Sequence, residues 1–154
     1  MRFISLTAAI LAIATPALAQ ERQWSLDASE KQAFLVFGVP DTADVGLSFW
    51  CDIGSKKMSI FVPVASTTAA PGQSPELVAT VSGRTFKFKS EVEKDQSSGL
   101  VNIESHFGPD DAFYKTVMSS DTITVQVKKE KKSYPLGDAD FDGLNRTCAG
   151  EDTN

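Results

Sequence analysis

The chain reads as a mainly β protein, an antiparallel β-sandwich or partly open barrel with one or two short helices at its edge. Three observations predict this. Apolar residues recur with a period of two along most of the chain, turn chemistry separates the runs, and the period lengthens towards that of a helix only near Pro109 and Asp138. Strands in hairpin order with few, short helices build antiparallel sheets.

The segment 1–19 stands apart from this pattern. Arg2 opens it, an apolar stretch runs from Phe3 through Ala14, and Ala17-Leu18-Ala19 is an ending that signal peptidase favours, so it reads as a cleaved secretory signal. The alternative, a membrane anchor, meets an apolar run of about a dozen residues broken at Thr15-Pro16, where roughly 20 are needed to span. No cysteine follows the site to carry a lipid. Residues 20–154 are then expected to form one β-rich domain, periplasmic or secreted, with no transmembrane anchor. Removing Arg2 takes the net charge from −5 to −6, which argues against nucleic acid and anionic membranes as partners.

In chain order, Trp24 and Leu26 alternate with polar neighbours. Ala33, Leu35 and Phe37 alternate with Phe34 and Val36, and apolar residues on both parities predict a central strand, ended by Gly38 and Pro40. The acidic turn 40–44 leads into a hairpin over Val45–Val64. There Val45, Leu47, Phe49, Cys51 and Ile53 share the inward parity, Gly54-Ser55-Lys56-Lys57 is the turn, and Met58, Ile60, Val62 and Val64 return. Ser66–Pro75 is a small-residue loop. A second hairpin follows from Leu77 to Val92 about Ser82-Gly83, with Phe86 and Phe88 inward and Lys87 and Lys89 in water. After a polar turn at 93–99, Val101, Ile103 and Phe107 face the core while Asn102, Glu104 and His106 face away. Pro109, Asp110 and Asp111 begin a short helix with Phe113, Val117 and Met118 on one stripe. Thr122–Val127 is a strand, Lys128–Lys132 a charged turn, Ser133–Leu136 a short strand limited by Pro135, and Asp138–Cys148 a terminal helix.

Cys51 and Cys148 are the whole cysteine inventory, and two cysteines in an exported chain are expected to join, the alternative being two free thiols. The loop of nearly 100 residues is worth about 4 to 5 kcal/mol in the chain-entropy model. With a single histidine, His106, a structural zinc site is not indicated, and no cofactor is expected.

The tryptophan soon after the signal site and the Leu47-Ser48-Phe49-Trp50-Cys51 strand followed by a hairpin form a layout with known counterparts. So do the Phe113 helix leading into Ile123-Thr124-Val125, and the closing Phe141-x-x-Leu144-x-x-x-Cys148. The layout resembles that of small periplasmic proteins, the type VI secretion-associated VasI proteins and their uncharacterised relatives. The resemblance implies the fold, the disulfide and an envelope location, and brings no catalytic residues.

Candidate sites each carry two readings. Asp138, Asp140 and Asp142 with Gly143 match the opening of an EF-hand loop, but the twelfth position is Ala149, so helix capping by Asp138 or Asp140 competes with calcium binding. His106, beside Glu104, is either the general base of a hydrolase or an exposed strand histidine. Lys128–Lys132 with Lys87 and Lys89 is either a basic patch for an acidic partner or a solvated hairpin tip that discourages edge pairing. Trp50 either contacts a partner or lies under the terminal helix or the Ser66–Pro75 loop. The expected function is that of a non-enzymatic binding or accessory domain whose partner is another envelope protein. The alternatives are an inhibitor of an extracellular or periplasmic hydrolase using Ser66–Pro75 as a plug, and a small hydrolase or calcium-dependent binder.

Overall fold

The computed structural model describes residues 21–94 and 100–151. Segment 1–19 and most of the turn at 93–99 lie outside the described residues. Two antiparallel sheets form. The larger has the order β1 (Gln23–Ala28), β2 (Gln32–Gly38), β3 (Val45–Asp52), β4 (Met58–Ala65), β8 (Leu100–Phe107) and β7 (Glu91–Lys94). The smaller has the order β10 (Glu130–Pro135), β9 (Thr122–Val127), β5 (Glu76–Val81) and β6 (Arg84–Lys89). Helices α1 (Ala112–Met118) and α2 (Phe141–Ala149) complete the described elements. The sheets stack face to face as a sandwich, with no closed barrel.

Alternation places Leu35, Leu47, Phe49, Ile60, Val62 and Ile103 of one sheet against Leu77, Ala79, Val81, Ile123, Val125 and Val127 of the other, all buried. Rings bridge the layers, with Phe37 5.9 Å from Tyr134 and Phe88 6.4 Å from Phe107. Both helices sit at this aromatic seam. Phe113 of α1 packs on Phe86, Phe88 and Phe107, and Phe141 of α2 packs on Phe49, Trp24 and Tyr114. The stripe of α1 differs from the expected one. Tyr114 is fully buried in place of Met118, which is 37% exposed, because the Tyr114 ring joins the cluster and its hydroxyl donates to Asn145 Oδ1 at 2.8 Å. Leu26 is likewise exposed, at the outer edge on β1. Asp111 is the N-cap of α1, accepting from the Phe113 amide, so Pro109 and Asp110 precede the helix instead of opening it.

A β-bulge alters the key hairpin. Phe37 pairs with Leu47 but Gly38 pairs with Val45, leaving Gly46 as the inserted residue. Past that point the parity flips, so Val45 turns to the outer face instead of inward as alternation predicts. Gly46 takes the inner side, where a Cβ would meet the Tyr134 ring at 2.8 Å. Glycine is required there by close approach.

The strand expected to run on to Val92 breaks at buried Ser90, whose amide and hydroxyl both donate to the Pro75 carbonyl, and the chain changes sheets. At the opposite seam the Trp24 indole donates to the Pro135 carbonyl at 2.8 Å. The charged turn is shorter than its composition suggests. Lys128 and Lys129 alone form it, Lys128 at φ 52°, and Glu130 already belongs to β10. Register with β9 turns Glu130 and Lys132 inward, where they lie beside Val62, Val64, Val125 and Val127. Glu130 accepts from the Ala65 amide, the Thr68 hydroxyl and Lys132, and Lys132 also donates to the Pro63 carbonyl at 3.1 Å. Burial pushes the Glu130 carboxyl up, but these bonds outweigh it and hold it below the usual carboxylate range.

The bridge between Cys51 and Cys148 is formed, with Cα atoms 6.0 Å apart and a separation of 97 positions in sequence. It pins the last turn of α2 to β3. The Gly54 amide donates to the Cys148 carbonyl at 2.8 Å beside it, and Gly150 ends the helix at φ 81°. At the other end Asp140 is the N-cap, accepting from the Gly143 amide at 2.8 Å, and a Cβ on Gly143 would strike the Asp140 carboxylate. Asp140→Ala is expected to lower stability by about 1 kcal/mol. A thermal melt coincident with that of the native chain would refute the cap.

Candidate functional site

The outer face of the larger sheet carries an uncovered aromatic groove. Cross-strand register assembles it. Phe34 stands opposite Trp50, Val36 opposite Ser48, Ser48 opposite Phe61, Phe61 opposite Glu104, and Ser59 opposite His106. The Phe34 and Trp50 rings stack at 6.0 Å with 23° between their planes. Together with Val36, Phe61 and the bulge-turned Val45 they floor a groove of about 330 Å³, closed at one end by Glu93 and Glu104. Among the described residues, none of α2 or of the 66–75 segment lines it, so Trp50 is covered by neither of the elements expected to hide it. Trp50 is half-buried by its own neighbours in the sheet.

Glu104 is the unusual member. Its parity is outward, yet it is only 7% exposed, because Phe61 and Trp50 flank it. Its Oε1 is buried without a hydrogen-bond partner. Burial pushes the carboxyl above the ordinary carboxylate range, against the opposing influence of Ser59, His106 and Trp50, while nearby Glu93 adds to the rise. The folded chain therefore holds this proton to higher pH than the unfolded chain. Stability from this group is complete below the unfolded value and is lost as pH rises through the folded one. Glu104→Gln has no proton to lose. Its melting temperature relative to the native chain is expected to climb as pH rises from the ordinary carboxylate range towards neutrality, and a gap that stays constant with pH would contradict the assignment.

A serine, a histidine and a carboxylate meet here, which sequence spacing gave no means of seeing. Ser59 Oγ lies 2.8 Å from His106 Nδ1, and Glu104 Oε1 lies 3.8 Å from the same nitrogen. In a catalytic triad the nucleophile and the carboxylate engage opposite ring nitrogens, so that one receives the proton while the other is held. Here both address Nδ1, and Ser59 is 3% exposed within a sheet strand. The constellation orients His106, whose ring is half in solvent, and offers no attacking hydroxyl.

The remaining candidates fall elsewhere. Lys87 and Lys89 lie on the outer face of the smaller sheet, across the sandwich from Trp50, and Lys87 is paired with Glu76 at 3.1 Å. Lys131 shares that face but at the far edge, on β10, and Lys132 points inward, so the basic residues form no single patch. Asp140 is engaged as a cap, and Gly143 is helical where a calcium loop needs a turn. Among the described residues no group of three or more His, Cys, Asp or Glu is placed to hold a metal. Comparison of the chain with protein-family models, with characterised proteins and with solved structures finds no match.

Proposed function

We propose that the chain is an exported, non-catalytic binding domain of the bacterial cell envelope that engages a partner protein through this groove. The observation that carries the reading is a contiguous aromatic floor left uncovered on a sheet face. Burial of rings such as Phe34, Trp50 and Phe61 is where protein interfaces gain most of their energy. A buried disulfide fits an oxidising compartment, and among the described residues no helix is long and apolar enough to cross a membrane. The resemblance to small periplasmic proteins supports the same location. The inhibitor reading has less support, because the 66–75 segment is tied down, Thr68 donating to Glu130 of β10, Gln73 accepting from Lys128 in the turn before it and Ala69 buried, whereas a plug must stand out. The hydrolase reading is weakened by the shared Nδ1 geometry.

The test compares crosslinking of the tagged chain and of its Trp50→Ala, Phe61→Ser variant in the native envelope. A protein captured by the first and lost from the second supports the reading. Capture unaffected by the variant would move the interface to another face and overturn it.

A further inference from the structure

We propose that the groove receives an arginine side chain carried by an extended segment of the partner. This rests on the binding role proposed above and names the chemistry that the role would use. Two observations converge on a guanidinium. The floor is a pair of stacked rings, Phe34 and Trp50, with Phe61 beside them. The end is acidic, and there Glu104 is more than nine-tenths buried, its Oε1 accepting no hydrogen bond and approached only by His106 Nδ1 at 3.8 Å, while Glu93 stands at the rim. A planar, weakly hydrated cation satisfies both at once. It stacks on aromatic faces and donates from the edge of the same plane to a carboxylate.

Other occupants meet a cost that arginine avoids. A purely apolar group would fill the floor but bury Glu104 further without a donor for Oε1. An anionic group would face Glu93, Glu104 and a net charge of −5. Lysine supplies the charge but not the plane, and its ammonium gives up more hydration. Extended backbone suits the setting, since the groove runs along a sheet face and a flanking apolar residue reaches Val36 and Val45.

The experiment is isothermal titration calorimetry of the full chain with the peptide acetyl-Ser-Val-Arg-Val-Ser-amide. Parallel titrations use peptides in which the arginine is replaced by lysine, citrulline, norleucine or glutamate. Citrulline keeps the plane and loses the charge. The arginine peptide is expected to bind at least tenfold more tightly than the citrulline and norleucine peptides, with lysine between and glutamate undetected. Glu104→Gln is expected to lose about tenfold for arginine and nothing for citrulline. This variant removes a buried charge, so its fold is retained, and Glu93→Gln at the exposed rim repeats the test with a smaller loss. Equal binding of arginine and norleucine peptides, or an arginine affinity untouched by Glu104→Gln, overturns the proposal. So does methylguanidinium binding as tightly as the peptide, which would make the groove a small-molecule site. A crosslinked partner lost in the Trp50→Ala, Phe61→Ser variant but seated through a segment without arginine would leave the binding face standing and this inference alone refuted.

Discussion

Replacing both cysteines, Cys51→Ala with Cys148→Ala, lowers the melting temperature by roughly 15 °C. The bridge spans 97 positions, and the chain-entropy model assigns a crosslink of that length about 4.7 kcal/mol through the freedom it removes from the unfolded chain. A loss of that size is a large part of the net stability of a single domain. Local structure explains why the remaining contacts compensate poorly. Helix α2 has nine residues, too few to be stable alone, and only the bridge ties its last turn covalently to β3. Thermal unfolding with and without reductant measures the effect in the native sequence, and the double variant checks it without reductant. A shift below a few degrees in both would mean that packing of Phe141 and Leu144 suffices to hold the helix.

Phe49→Ala is the second large effect, a loss of about 3 to 5 kcal/mol. Phe49 has no exposed surface, and its ring meets Trp24, Phe107, Tyr114 and Phe141, so it joins one sheet, the edge strand and both helices. No neighbour can collapse into the space without breaking a ring contact of its own. Phe34→Ala, at the half-buried outer face of the adjacent strand, is the control and should cost about 1 kcal/mol. Chemical denaturation of the two variants gives the comparison directly. Similar losses in both would mean that the outer groove is as tightly packed as the core, and that it is no groove.

The strand pattern was legible because alternation is local. Leu47, Phe49 and Cys51 point inward wherever β3 is placed, and the terminal helix needed only the spacing of Phe141, Leu144 and Cys148. The departures come from features that alternation does not encode. One glycine, Gly46, admits a bulge and turns Val45 to the opposite face, and nothing within β3 announces it. Glu130 and Lys132 look like a fully solvated run, but pairing with β9 gives them the inward parity, where Glu130 is largely covered and Lys132 stays 43% exposed at the sheet edge. The groove was the least legible part. Trp50 could be placed on the outer face by parity, and apolar residues on both faces of β2 hinted at Phe34 and Val36. Phe61, Glu104, Ser59 and His106 join them through the register of four strands, a long-range property set by the whole sheet.

The inward-parity ion pair on β10 also bears on what can pair with this sheet edge. An edge strand leaves backbone groups free, and a foreign strand docking there would lay its own alternating apolar side chains beside Glu130 and Lys132. That added layer would find charge where a core should continue. Sheet extension along this margin is therefore self-limiting: each added strand would have to match an inward-parity charge pair or leave it without a partner.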